Sequence, residues 1–373
     1  MEVLSLDLID FRNYEQAHVE LSGGLNVIIG RNGQGKTNLL EAISVISTLG
    51  SHRTSSNASM VRHGADACII RARIDSEGHQ VSIDVEIKRS GGIRFLVNKV
   101  GVDRGNVQDV LVGVIFSPED LSLIKGGPEE RRRFIDHASA RTRPLAAAER
   151  HEFERVLKQR NGVLKASQTN PRALHTLDVW DEHFVKAGAS LVRERLQTLS
   201  QIGARAAQRY IAIAGEGEPP SFGYEASWQN MQGSLAPTDI DESAIADGIG
   251  DALRSALTRD LERGLTTVGP HRDDISIELD GQDARVFASQ GEQRSLALSM
   301  RLAERDVIID IRNKRPVLLL DDVFSELDDP RRAQLSELVA SSGQTIATAT
   351  SAEGLPVVAS RTVRVESGKV LDE

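Results

Sequence analysis

A single cysteine, Cys68, stands in the 373 residues, which excludes an intramolecular disulfide and any cysteine-rich zinc cluster. Aromatic residues are also scarce, at 4% of the chain. A nucleic-acid surface here would therefore work through phosphate contacts more than through base stacking. Charged and polar residues interrupt every apolar stretch before it reaches bilayer-spanning length, so no membrane partner is expected. Met1-Glu2-Val3-Leu4 is not a basic leader followed by an apolar run, and the chain reads as cytoplasmic. Positive charge is in deficit too: 45 Lys and Arg against 54 Asp and Glu give a formal net charge of -9. That average field repels polyanions, so any nucleic-acid surface needs a local basic patch.

What remains is an ordinary globular composition, 40% hydrophobic and 27% charged, with length enough for two lobes. Val3 to Ile9 alternates apolar and polar positions as a strand does, and Leu25-Asn26-Val27-Ile28-Ile29 reads as a buried strand. Leu39, Leu40, Ile43 and Ile46 then recur at helical spacing. Alternating runs at Ala67–Ile74, Val81–Ile87 and Ile93–Val97, the last two flanking Gly91-Gly92, predict an antiparallel subsheet. From about Gly126 the pattern turns helical. Pro144 can open a helix bearing Phe153, Val156, Leu157 and Leu164, which Asn170-Pro171 breaks. Leu174 to Ala214 lacks proline and, if continuous, makes about 60 Å of helix at 1.5 Å per residue. The two helices are expected to pack as an antiparallel arm. Phe222 to Trp228 alternates like a strand returning to the main sheet, and the loop around Asn230 to Ser243 carries no strong signal. The expected organisation is an α/β head at 1–125 and 215–373 split by a helical arm at 126–214.

Three motifs carry chemistry. Gly30-Arg31-Asn32-Gly33-Gln34-Gly35-Lys36-Thr37 fits the phosphate-binding pattern G-x-x-x-x-G-K-[ST] and lies between a buried strand and an amphipathic helix. Its glycines let backbone N–H groups approach the β-phosphate, Lys36 reaches the β- and γ-phosphates of ATP, and the Thr37 hydroxyl ligates Mg²⁺. Val317-Leu318-Leu319-Leu320-Asp321-Asp322 reads as a strand ending in two acids. Asp321 is placed to hold the Mg²⁺ shell and Asp322 to orient or deprotonate the attacking water. Ser289-Gln290-Gly291-Glu292-Gln293-Arg294 precedes an amphipathic helix and forms a second anion site at a helix N-terminus. One phosphate cradle already serves in cis. Ser289, Gly291 and Gln293 are therefore expected to meet the γ-phosphate held by another subunit, in an ATP-dependent homodimer.

The order of these parts resembles the ABC-type head ATPases, and the details resemble the RecF family of bacterial DNA-repair proteins. The likeness runs through Phe11-Arg12-Asn13-Tyr14, the phosphate loop, Phe116-Ser117-Pro118-Glu119-Asp120 and Arg131-Arg132-Arg133-Phe134. It continues through Gly269-Pro270-His271-Arg272-Asp273-Asp274, the Ser289 motif, and Leu320-Asp321-Asp322-Val323 with Ser325-Glu326-Leu327-Asp328. The resemblance implies a mixed sheet with an antiparallel subsheet, a short inserted arm, and dimerisation driven by ATP. It also implies binding at single-strand/double-strand DNA junctions, and work with RecR and RecO in loading RecA at gaps. Arg12 and Asn13 resemble residues that approach the nucleotide. Hydrolysis is expected to be DNA-stimulated, and two departures from the ABC pattern imply that it is slow. Phe116–Asp120 holds no glutamine, leaving Ser117 or Glu119 to substitute, and Thr345–Thr350 offers threonines where a switch histidine is expected.

For DNA, the residues singled out are Arg131, Arg132 and Arg133, in a basic stretch that continues through Arg141, Arg143, Arg150, Arg155, Lys158 and Arg160. Glu129, Glu130, Asp136, Glu149, Glu152 and Glu154 are interleaved with them, as on a solvated helix face. His271 with Asp273 and Asp274 reads as a structural turn before a metal site. The competing function is the nucleotide-binding subunit of an ABC-type transporter. An SMC-type chromosome protein needs a far longer arm. A GTPase is disfavoured because Pro316, not Asp, follows Asn313-Lys314-Arg315.

Overall fold

Period-two alternation and short apolar runs dominate the two ends of the chain, and helical periodicity its middle. A computed structural model describes all residues except 55, 77, 104–106, 108–109, 216, 230–240, 326, 341, 352–357 and 372–373. Most of the anticipated Asn230–Ser243 loop, and Glu326, thus lie outside the described residues. The chain opens with β1 (Glu2–Phe11), β2 (Tyr14–Glu20), β3 (Leu25–Ile29) and α1 (Lys36–Thr48). Then come β4 (Ala67–Ser76), β5 (His79–Lys88), β6 (Ile93–Val97), β7 (Val100–Val102) and β8 (Gly113–Phe116). The middle holds α2 (Pro128–Thr142), α3 (Pro144–Ser167), α4 (Leu177–Ala214), β9 (Ser221–Glu225) and α5 (Glu242–Arg263). It continues with β10 (Asp274–Leu279), β11 (Gln282–Asp283), α6 (Ala284–Phe287) and α7 (Gln290–Arg312). The chain closes with β12 (Val317–Leu320), α8 (Asp329–Ala340), β13 (Thr345–Ala349), β14 (Arg361–Glu366) and β15 (Lys369–Leu371).

Two compact units result: Met1–Asp120 with Ala212–Gly215 and Glu304–Glu373, and Leu121–Ile211 with Glu216–Ala303. The first contains an antiparallel sheet in the order β2-β1-β4-β5-β6-β7 and a mixed sheet in the order β15-β14-β3-β13-β12-β8. In the antiparallel sheet Cys68, Ile70, Ala72 and Ile74 of β4 are buried on one face, as alternation requires. In the mixed sheet β3, β12, β13 and β8 are buried along their whole length. That is the condition of parallel strands covered on both faces. Leu39, Leu40, Ile43 and Ile46 of α1 join the core, so the face expected from spacing is the face buried.

The second unit is held by helices and by a small sheet in the order β11-β10-β9. Here α4 is one helix of 38 residues. It begins after a tight turn at Pro171–Thr176 and not at Leu174. Phe153 of α3 and Phe184 of α4 bring their rings to 5.2 Å. Two expectations change. Ser221–Glu225 does not rejoin the main sheet but pairs antiparallel with β10, Tyr224 opposite Ile275. The unit boundary also differs from the expected one, since 216–303 clusters with 121–211. Long-range buried pairs account for it. Arg131 of α2 meets Asp274 through two hydrogen bonds of 2.8 and 2.7 Å. Arg160 of α3, with no solvent exposure, bonds Asp260 at 2.8 Å and Asp181 at 2.7 Å. Breaking one side of such a pair strands a buried charge at a cost of about 3–5 kcal/mol.

Candidate nucleotide-binding site

In a parallel sheet the carboxyl ends of the strands gather the loops that can bind ligands. β3 ends at the glycine loop, and β12, its neighbour but one, ends at Asp321. The Gly30 N–H donates to the Ala349 carbonyl at the end of β13, which fixes the start of the loop. A side chain at Gly30 would bring a Cβ within 2.3 Å of the Val365 carbonyl. At Gly35, with φ +119°, it would meet Asn13 Nδ2 and the Tyr14 hydroxyl at 2.7 Å. These two glycines are needed where they stand.

The loop is clamped from outside. Asn13 Nδ2 donates to the Gln34 carbonyl at 3.1 Å and the Tyr14 hydroxyl to the Gly35 carbonyl at 3.0 Å. Asn13 Oδ1 accepts from Asn38 at 2.7 Å. On the other side the Gly368 N–H donates to the Gln34 carbonyl at 3.1 Å. Arg12 is turned to a different task. Its Nε donates to Glu41 at 2.9 Å and a second nitrogen donates to the same carboxylate. Glu41 itself is fully buried in α1. Burial pushes its carboxyl upward, but the hydrogen bonds of Arg12 and Ser51 and the charges of Arg12 and Arg53 outweigh this, holding it below its ordinary value.

Lys36 closes the cradle. Its ammonium donates to the Gly30 carbonyl at 2.7 Å and the Arg31 carbonyl at 3.2 Å, and lies 3.4 Å from Asn32 Oδ1. Desolvation pulls its pKa down, opposed by Asp322 and Asp321. A phosphate oxygen is a stronger, charged acceptor than these carbonyls. Lys36 also opens α1, whose positive N-terminal end faces the same loop.

At the other side of the cradle the Thr37 hydroxyl donates to Asp321 Oδ1 at 3.0 Å, and Thr348 donates to the same oxygen at 2.7 Å. Burial raises the pKa of Asp321, while the hydrogen bonds of Thr348 and Thr37 work against that rise. A hydroxyl and one carboxylate are hard oxygen donors, and Mg²⁺ in phosphate-handling sites takes only one or two such protein ligands. The pair fits. Among the described residues no group of three or more His, Cys, Asp or Glu side chains gathers as a metal cage. Asp322 sits at φ +52°, a left-handed conformation that Asp tolerates better than most residues. Its N–H donates to Thr348 at 2.8 Å and its carboxylate accepts from Ser325 at 2.7 Å. Thr348 thus links both acids. Sequence reasoning marked the threonines of Thr345–Thr350 only as standing where a histidine was expected, and passed over Glu41. Glu41 left a signal, as a lone acid amid the apolar residues of α1.

The remaining expected residues divide. Ser289 is exposed before α7 and forms a capping box: its N–H donates to Glu292 at 2.7 Å, and its hydroxyl lies 3.4 Å from the Glu292 N–H. Gln293, expected to face a partner, turns inward and donates to the Ala288 carbonyl at 2.9 Å. It is buried because it ties α7 to the turn that carries Ser289. The arginine triplet separates by helical phase. Arg131 is 6% exposed and paired with Asp274, so it is a strut of the fold and not a free phosphate ligand. Arg132 donates to the Asp273 carbonyl. Arg133 is 55% exposed and pairs with Glu130. Farther along, Arg143 meets Glu194, Arg150 meets Glu154 and Arg155 meets Glu152. Asp273 is buried and accepts from Tyr224 at 2.7 Å, from the Ser227 hydroxyl at 2.7 Å and from Trp228 at 3.1 Å. That saturation makes it the anchor of a turn.

Comparison with known proteins identifies the family and the fold. The family model described as the RecF/RecN/SMC N terminal domain matches residues 2–369. The DNA replication and repair protein RecF of Leifsonia xyli subsp. xyli is 39% identical over 100% of both chains. That of Streptomyces avermitilis is 40% identical over 99% of each. A solved structure of the recombination mediator protein RecF with ATP, in the RecFOR pathway, superposes with a TM-score of 0.90 at 29% identity. It covers 99% of this chain and 96% of its own. An SMC head bound to the C-terminal winged-helix domain of ScpA, 16% identical with a TM-score of 0.57, shares the fold. The transporter-subunit reading is set aside by these matches. With an ABC-type P-loop head and full-length likeness, the chain belongs to the RecF family of DNA replication and repair proteins.

Proposed function

We propose that the chain is an ATP-gated DNA-binding repair protein that binds Mg²⁺–ATP at the Gly30–Thr37 cradle and closes on it as a homodimer. The observation that carries this reading is the meeting of Thr37 and Asp321 at 3.0 Å beside a Lys36 ammonium held at the loop. Bound Mg²⁺ neutralises phosphate charge. Thr37 and Asp321 hold that ion, Lys36 contacts the β- and γ-phosphates, and Gly30, Arg31, Asn32, Gly33, Gln34 and Gly35 line the phosphates with backbone N–H groups. Asp322 orients the attacking water as a general base. Asn13 acts on the loop's shape, and Arg12 fixes α1 through Glu41.

In this reading Ser289 and the Gly291 N–H, at the start of a 23-residue helix, receive the γ-phosphate held by a second copy. Gln293 supports them from inside. DNA, at single-strand/double-strand junctions, is engaged through backbone contacts that include Arg133, and slow, DNA-stimulated hydrolysis resets the dimer. The RecFOR setting of the solved relatives supports RecR and RecO as partners and a role in loading RecA, in the cytoplasm. Among the described residues no helix is long and apolar enough to cross a membrane. Two measurements test the reading: sedimentation with and without Mg²⁺–ATP, and ATP turnover with and without gapped DNA. A mass unchanged by ATP together with turnover unchanged by DNA would sink it.

A further inference from the structure

The segment after α1 is fastened to the nucleotide site by side chains. Ser51 donates to Glu41 and accepts from the N–H groups of Arg53 and Thr54 at 3.0 and 3.1 Å. Arg53 donates to Asn38 Oδ1 at 3.0 Å, approaches Glu41 at 3.4 Å, and lies 3.8 Å from Glu119. Between Ser51 and Arg53 stands His52. Both its ring nitrogens are shut off from solvent, and neither has a hydrogen-bond partner among the described residues. A buried ring with both nitrogens orphaned calls for a reason.

Its surroundings supply one. The carboxylates of Glu41, Glu119, Asp321 and Asp120 all act on the imidazole, and His52 in turn bears on Asp321. Desolvation outweighs those four acids and keeps the ring below its ordinary pKa. An imidazole has two ring nitrogens, each able to meet a hydrogen-bond partner. Such a group, on a segment that Arg53 ties to Asn38, the residue after Thr37, can hold a water molecule in a fixed orientation.

We propose that His52 is a positioning residue of the nucleotide site, whose ring nitrogens take as partner a water that enters with Mg²⁺–ATP. The proposal rests on the nucleotide-site reading above and adds to it a residue on the segment between α1 and β4. Its role is to order the polar environment of the Thr37–Asp321 pair. Removing an outer contact of this kind typically weakens metal affinity by about 10–100-fold.

The test is titration of a fluorescent, non-hydrolysable ATP analogue, over a Mg²⁺ series and in EDTA, on the full chain. His52→Ala is expected to leave affinity in EDTA unchanged and to raise the Mg²⁺ needed for half-maximal tight binding about tenfold. His52→Gln, which keeps a donor and an acceptor, is expected to recover most of the loss. His52→Phe, which fills the space without them, is not. If His52→Ala does not fold, the Gln and Phe variants carry the comparison. Equal loss with and without Mg²⁺, no loss, or Phe matching Gln overturns the proposal. Lys36→Ala separates the two levels. Wild-type affinity in that variant removes the nucleotide-site reading itself, whereas its loss beside an unaffected His52→Ala removes only the role of His52.

Discussion

Thr37 and Asp321 are 284 positions apart in the chain, and their side chains share a hydrogen bond of 3.0 Å. The first lies in the first turn of the helix after β3, the second directly follows β12, and β13 lies between those strands in the sheet. Thr348, on that intervening strand, donates to the same Asp321 oxygen. Two hydroxyls, one from α1 and one from β13, therefore fix one carboxylate oxygen, and a nucleotide-bound cation would meet it preorganised.

Replacing Lys36 with alanine should weaken ATP binding by about 10–100-fold, the loss of charge-assisted hydrogen bonds worth about 1.5–3 kcal/mol. The fold should survive, because the contacts of Lys36 are to loop carbonyls that water can satisfy. Nucleotide titration checks the first point and thermal melting the second.

Binding and assembly should come apart between two variants. Ser289→Arg should leave ATP binding by the monomer near wild type and abolish ATP-dependent dimerisation, through bulk and loss of the hydroxyl. Asp322→Asn should still bind Mg²⁺–ATP, hydrolyse at least about 100-fold more slowly, and so hold the dimer longer. Sedimentation with Mg²⁺–ATP reads both. A dimeric Ser289→Arg, or wild-type turnover in Asp322→Asn, reassigns these residues.

The arginine triplet should respond by burial and not by charge. Arg131→Ala leaves Asp274, whose side chain is only 20% exposed, without its bidentate partner and should cost about 3 kcal/mol of stability, read by chemical denaturation. Arg133→Ala should leave stability within about 0.5 kcal/mol. It should also lower the slope of log DNA affinity against log salt by about 0.9, one phosphate contact. A slope unchanged by Arg133→Ala places the DNA elsewhere.

His271 gives the second unit an acid sensitivity. Burial lowers its pKa to about 4, and its ring packs near Phe153 and Phe184. The folded state therefore binds this proton less readily than the unfolded chain, whose histidine titrates near pH 6.5. The associated stability is complete above that value and is lost as the pH falls from about 6.5 toward 4. Between pH 7 and pH 5 the loss should be about 2 kcal/mol. Denaturant unfolding at the two values should show it, and His271→Phe should flatten the difference.

The sequence by itself determined what depends on near neighbours. The phosphate loop was legible because glycine, lysine and threonine act on a backbone turn within eight positions. The apolar face of α1 was legible because Leu39, Leu40, Ile43 and Ile46 share a helical phase. The hairpin at Gly91-Gly92 was legible because its strands adjoin in the chain. Alternation, however, gives a strand its faces and not its partner. Only the tertiary structure paired Ser221–Glu225 with β10 in a sheet of its own. Charge in the sequence likewise says nothing of burial. Arg131 and Arg133 read alike, yet Asp274, 143 positions away, makes the first a strut while the second stays in water. Gln293 turned inward and Thr348 became the link between two acids for the same reason. A polar side chain takes its role from whichever donor or acceptor the fold brings to it, and those partners come from distant parts of the chain.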